Sequence, residues 1–273
     1  MSEQATVDQG NREFWQHICG TRAAELYGYD GDDAASIANF DKWFFGYYPY
    51  LDQFIPFDDL AGQDALEIGL GYGSVSQRIA RAGARLTGLD IASAPVHWFH
   101  HRLALNGLTG TGIQGTALDM PFRDESFDYV VTIGCLHHTG NLKAAISEVH
   151  RVLRRGGRAT IMVYNATSYM RWLKYPSDTL SYVREVMMGS ANPLPLAENG
   201  RAFFDADPSG NIAPEVVLSS KTSFSRMLMP FSTQKIYRTN VYNHPPIDFV
   251  PRNLLNALVG PLFGSDLYAL VTK

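Results

Sequence analysis

Between residues 64 and 164, short apolar runs alternate with segments whose apolar positions recur every three or four residues. That alternation of periods builds βαβ units on a mostly parallel sheet. It predicts a strand at 64–69, a glycine turn, and a helix at 74–82 with Val75 and Ile79 on one face. A second strand at 84–90 leads to Ser93 as helix N-cap and Pro95 in the first turn of a helix that runs to about 106 and stops at Gly107. The third strand is placed at 113–117. Residues 127–133 show little polar alternation, as expected of a strand covered on both faces. The stripe Leu142, Ala145, Ile146, Val149, Val152, Leu153 defines a helix at 141–154, ended by Gly156, and a fifth strand follows at 158–164. The fold class is α/β with a doubly wound, mostly parallel sheet.

Outside that frame the pattern is looser. Residues 169–188 read as helical and 191–214, rich in Pro, Gly, Asn and Asp, as a long loop of the kind that forms lids. A helix at 221–229, a strand at 234–241, a proline-rich connection, a bend at Gly264 and a strand at 266–272 close the chain. Upstream, Phe40, Trp43, Phe44, Phe45, Tyr47, Tyr48 and Tyr50 crowd one segment. The expected organisation is an aromatic-rich helical cap at 1–60, a core at 61–164, an insertion or lid at 165–230, and final strands at 231–273 that complete the sheet.

Composition narrows the partners. A net charge of -4 without a clustered Lys/Arg surface argues against nucleic acid and for a small-molecule substrate. Two cysteines, Cys19 and Cys135, with no CxxC pair, point to a reducing, cytoplasmic compartment without a cysteine-based metal site. The polar start lacks a secretory signal, and no apolar run is long enough for an integral membrane segment. His97, His100 and His101 share a helix with no carboxylate to complete a metal site, and read as a polar helix face.

The chemistry concentrates at Glu67-Ile68-Gly69-Leu70-Gly71-Tyr72-Gly73. A glycine turn between strand and helix lets a ligand approach the backbone and the helix N-terminus. Asp90 closes the second strand about 20 residues on, where doubly wound folds place an acid that accepts from ribose hydroxyls. An NAD(P)-dependent oxidoreductase would share those features, but the third glycine of G-x-G-x-x-G is replaced by Ser74. Glu67 would also sit badly near a pyrophosphate and well near a sulfonium or ammonium.

This passage resembles the first motif of the class I S-adenosylmethionine-dependent methyltransferases, and further matches follow in order. They are Thr87-Gly88-Leu89-Asp90-Ile91, then 120–128, then Ile133-Gly134-Cys135-Leu136-His137-His138, and Val152-Leu153-Arg154-Arg155-Gly156-Gly157. The resemblance implies a Rossmann-like fold and S-adenosylmethionine as cofactor. Glu67, Gly69, Gly71, Gly73 and Gly134 would then surround its methionine part, Asp90 and Ile91 its ribose, and Thr116, Ala117, Asp119 and Met120 its adenine. Thr116 stands where the family commonly has an acid, so Asp119 is the alternative adenine contact. A non-catalytic cofactor-binding partner protein would keep the same motifs.

Residues just beyond the strand ends are the substrate-side candidates in such folds. His137 and His138 are the candidate catalytic bases, with His137 preferred; the alternative is that the pair packs beneath the cofactor. Tyr164 and Asn165 follow the fifth strand, and Tyr48 of the aromatic cap is expected near the substrate. Cys135 reads as a small buried apolar residue.

Overall fold

The computed structural model describes residues 2–18, 32–206, 210–241 and 249–273. Cys19 and most of the proline-rich connection after residue 241 lie outside them. Seven strands form one sheet: β1 (Asp64–Ile68), β2 (Arg85–Asp90), β3 (Thr111–Gln114), β4 (Phe127–Ile133), β5 (Leu153–Tyr164), β6 (Thr233–Thr239) and β7 (Asp266–Thr272). Their spatial order is 3-2-1-4-5-7-6. Strands β1 to β5 pair in parallel, whereas β7 runs antiparallel to both β5 and β6.

Strand alternation divides the core into two layers. Leu66, Ile68 and Val130 face one side, where Leu142, Ile146 and Val149 of one helix (Leu142–Val152) cover them. Ala65, Tyr129 and Val131 face the other, against Ile79 of a second helix (Ser74–Arg81) and Phe99 and Leu103 of a third (Ser93–Leu105). Each fully buried Leu, Ile or Val stabilises the sheet by roughly 1.5–3 kcal/mol. In chain order the helices up to this point are α1 (Glu3–Ile18), α2 (Ala34–Tyr47), α3 (Leu51–Phe54), α4 (Ser74–Arg81), α5 (Ser93–Leu105) and α6 (Leu142–Val152). The period of two that orients β1 also turns Glu67 to the α4 and α5 side, the direction of the glycine turn.

Several elements differ from the sequence reading. β3 ends at Gln114, because the Gly115 amide donates to the Asp90 carbonyl at 2.8 Å and the chain then leaves the sheet. Ser93 is not the N-cap of α5; Ala92 holds that position, and Gln16 Oε1 from α1 accepts from the Ser93 and Ala94 amides at 3.1 Å each. The expected helix at 169–188 is two, α7 (Tyr169–Lys174) and α8 (Pro176–Met187). Pro176 disfavours a helical Tyr175, which sits at φ -136, ψ 56.

The loop expected at 191–214 holds α9 (Glu198–Phe204) and a short strand, Leu194–Pro195, paired with Val217–Leu218. α10 (Lys221–Met227) precedes β6, and two helices that the periodicity did not signal, α11 (Arg252–Leu258) and α12 (Gly260–Phe263), precede β7. Among the described residues no helix is long and apolar enough to cross a membrane.

Candidate active site

The carboxyl ends of β1, β2 and β4 open on a cavity of about 350 Å³. The turn after β1 forms its floor. Gly69 has φ +81°, and a Cβ there would stand 2.4 Å from the Cys135 Cβ, so only glycine lets the β1 and β4 ends meet. Gly73 has φ +80° and packs on Arg102, whose Cδ would be 3.0 Å from an added Cβ. Arg102 is itself fully buried, paired with both Asp41 carboxylate oxygens at 2.8 Å and placed over the Tyr72 ring. It braces the turn from behind, a role that no local signal in the sequence marks.

Two acids stand beside the turn. Glu67 is buried and accepts a hydrogen bond from the Ser76 hydroxyl of α4. Burial pushes its carboxyl up to about 8, and the neighbouring Asp90 adds to the shift. Asp90 is pinned at the end of β2: Oδ2 accepts from the Leu70 amide at 2.8 Å and Oδ1 from the Ala92 amide at 3.0 Å. Burial raises its carboxyl to about 6 against those hydrogen bonds. Each of its oxygens keeps a lone pair to offer a ligand.

The other walls come from far apart in the chain. Ile91, Thr116 and Ala117 line one side, Gly134 and Cys135 another, and the cap helices contribute Asp8, Asn11, Trp15, Phe40, Phe44 and Tyr48. Asn11 Nδ2 donates to the His138 carbonyl at 2.6 Å, which fastens α1 to the end of β4. Tyr164, Asp205, Asn240 and Asp266 complete the lining. Cys135, expected to be buried, is half-buried on the cavity wall, and desolvation drives its thiol upward.

Of the two histidines only His138 lines the cavity. Its Nδ1 lies 2.9 Å from the Glu215 carbonyl, and since a carbonyl only accepts, Nδ1 carries a proton; in the neutral ring Nε2 is then the acceptor nitrogen. Nε2 is buried without a hydrogen bond, 3.9 Å from Asp205 Oδ2. His137, the preferred base in the sequence reading, is fully buried outside the cavity lining, its ring 4.0 Å from that of Tyr164 and 4.2 Å from that of His138. Desolvation holds it neutral, well below the usual imidazole range.

Three other expected contacts also fall elsewhere. Asp119 is exposed on the surface, and Met120 is buried in the core with its amide donating to Glu148 at 2.8 Å. Asn165 is buried behind β5, donating to the Gly264 carbonyl at 2.7 Å and accepting from the Thr167 amide and hydroxyl. Asn11, Asp205, Asn240 and Asp266 line the cavity although sequence reasoning did not select them. Asp205 lies in the segment read as loop, and no spacing rule links it to His138.

Residues 66–161 match the methyltransferase-domain family. Over this stretch the chain is similar to a methyltransferase domain, in the same region that carries the family resemblance of the sequence. Its sequence is 30% identical over 122 residues to a demethylmenaquinone methyltransferase of Tropheryma whipplei, covering 42% of this chain and 50% of that one. It is 38% identical over 101 residues to a probable phthiotriol/phenolphthiotriol dimycocerosates methyltransferase 2 of Mycobacterium ulcerans, covering 36% of this chain and 38% of the other. The chain thus spans half or less of the length of these curated relatives. An S-adenosylmethionine dependent methyltransferase from Mesorhizobium loti shares the fold, with a TM-score of 0.53 at 15% identity over 83% of this chain and 97% of that structure.

S-adenosylmethionine is the cofactor of this methyltransferase family, and the donor set of the cavity fits it. A buried, nearly unpaired carboxyl at Glu67 answers a cationic amino-acid moiety, and the pinned Asp90 carboxyl answers ribose hydroxyls. The missing side chains of the turn leave the backbone open between them.

Proposed function

We propose that the protein is a cytoplasmic S-adenosylmethionine-dependent methyltransferase acting on a small molecule. The observation that carries this reading is the convergence of Glu67, the glycine turn, Asp90 and Gly134 on one cavity. Glu67 and the turn amides would hold the methionine part, Asp90 and Ile91 the ribose, and Thr116 and Ala117 the adenine. The cofactor supplies a methyl group already activated by the sulfonium charge. The chain then has to bring the acceptor atom into line at close range and exclude water.

His138 would take a proton from the acceptor: it lines the cavity, its Nδ1 is engaged by the Glu215 carbonyl, and its Nε2 has no hydrogen-bond partner among the described residues. Tyr48 and Tyr164 would border the acceptor. The segment 1–60 serves as a cap, 165–230 as a lid, and 231–273 as the completion of the sheet. Asn11 and Trp15 from the first, and Asp205 from the second, meet on the same cavity, which supports this division.

The test is calorimetric titration of S-adenosylmethionine, S-adenosylhomocysteine and NAD into wild type and Asp90→Ala. Both sulfur compounds are expected to bind wild type and NAD is not. Asp90→Ala should weaken binding at least tenfold, about 1.4 kcal/mol. Preference for NAD, or no binding of either sulfur compound, overturns the reading.

A further inference from the structure

The carboxyls around the cavity fall into two groups. Glu67 and Asp90 flank the glycine turn, and the charge of Asp90 reaches both Glu67 and Cys135. Asp205 and Asp266 form a second group whose field reaches Tyr48 and Tyr164. With Asp8, five acids line the cavity, and among the described residues no Lys or Arg does. Asp266 is answered within the chain, by the Asn240 amide, which donates to it at 2.7 Å, and by the charge of Arg252, so a cofactor held by the first group leaves Asp205 to be answered.

The polar atoms of that second group are also specific about what they lack. In its neutral ring His138 Nε2 is the acceptor nitrogen, since Nδ1 donates to the Glu215 carbonyl. Asp205 Oδ2 stands 3.9 Å away, too far for a direct hydrogen bond, and both atoms are buried with no hydrogen-bond partner among the described residues. The other Asp205 oxygen accepts from the Tyr164 hydroxyl at 3.4 Å, a long bond. Two acceptors that close together call for a donor carrying at least two hydrogens. A hydroxyl has one hydrogen and leaves one acceptor unanswered; a carboxylate would bring no hydrogen and one more acid to a lining that already holds five, with no Lys or Arg among the described residues. Trp15, with its ring 4.9 Å from that of His138, and Tyr164 border the same part of the lining.

We propose that the methyl acceptor is an amine, bound as its ammonium between His138 Nε2 and Asp205 Oδ2. This inference rests on the methyltransferase reading above and names the substrate class of the same site. The ammonium gives one proton to His138 Nε2, and the imidazolium so formed is stabilised by Asp205. The freed nitrogen lone pair attacks the methyl carbon. A carbon–nitrogen bond forms, the carbon–sulfur bond breaks with its electron pair passing to sulfur, and the secondary ammonium product and a neutral thioether remain. The groups facing His138 are the neighbouring His137, the Glu215 carbonyl, Trp15, Tyr164 and Asp205. Asp205 is the one that can carry an opposing charge.

Calorimetry on protein first saturated with S-adenosylhomocysteine tests this with benzylamine, benzyl alcohol and benzoate, which share a ring and differ in charge and hydrogens. Benzylamine is expected to bind at least tenfold more tightly than the alcohol, and benzoate not at all. Asp205→Asn should erase the amine preference while leaving the binding of S-adenosylhomocysteine unchanged, which a general loss of structure would not do. Equal binding of amine and alcohol, a preference for benzoate, no binding of the amine, or an amine preference that survives Asp205→Asn overturns the proposal. Failure of S-adenosylhomocysteine to bind in the first step is instead the failure of the methyltransferase reading.

Discussion

At the residue scale, the burial that pushes the Glu67 carboxyl up to about 8 leaves it protonated at neutral pH in the free protein. A cationic ligand beside it favours the ionised form, so binding draws the proton off. The affinity for S-adenosylmethionine should therefore rise with pH up to about 8, by at most about tenfold per unit. Titrations in buffers of different ionisation enthalpy should count one released proton near pH 7, and Glu67→Gln should abolish both the release and the pH slope. An unchanged slope in Glu67→Gln would assign the proton elsewhere. Glu67 and Asp90 were legible because their roles are local, each acid sitting at the end of its own strand beside a turn with its own glycine signature. Asp205 was not legible, because its meaning depends on His138, 67 positions earlier in the chain.

At the element scale, α1 is fastened to the domain by side-chain amides as well as by Phe14, which is buried against Tyr182, Val186 and Leu218. Gln4 Nε2 donates to the Thr139 carbonyl at 2.8 Å, Asn11 to the His138 carbonyl at 2.6 Å, and Gln16 caps α5. These three contacts follow one another along the helix and close it over the cavity mouth. Asn11→Ala removes the buried donor of the central contact and should cost about 1–2 kcal/mol. Faster amide hydrogen exchange across residues 3–16 is expected, with protection of β1 and β4 retained. Unchanged exchange in that stretch would show that α1 is held by packing instead. The aromatic crowding upstream of the core was visible in the sequence, yet it did not reveal α1, whose polar contacts have no periodicity.

At the scale of the whole molecule, the cavity is a concentration of buried acids set into a sheet whose rim is held by ionised ones. Glu67, Asp266 and Asp90 are raised by burial to about 8, 7 and 6 from ordinary values of 4.5, 3.8 and 3.8. Their protonated forms therefore favour the folded chain, an effect fully present below about pH 4 and lost progressively as pH rises toward 8. Asp64 works in the opposite direction: Arg85 and then Arg154 hold it down at about 2, so its contribution disappears only in strong acid. The thermal midpoint of the free protein should fall between pH 5 and pH 8, and fall less when a cationic cofactor occupies the site. A flat or rising midpoint over that interval in the free protein would contradict the burial of these carboxyls.

Hydrophobic periodicity by itself determined the parallel core. Five strands and three core helices were recoverable from periods of two and 3.6, since those periods state which face each element must bury. The glycine turn and its acids were equally explicit, because a positive φ at Gly69 and a strand-end acid are local requirements. Periodicity could not place α9, α11 and α12, whose segments lack a sustained apolar stripe, nor break the helix at Pro176 with confidence about what came after. Tertiary structure alone decided which histidine meets the cavity. Adjacent residues on a tight turn point in different directions, so His138 turned inward while His137 went into the core. It also decided the lining opposite the glycine turn, where α1, the residue after α9 and the start of β7 bring Trp15, Asp205 and Asp266 to one cavity, because contacts between segments so distant in sequence exist only once the sheet has set their distances.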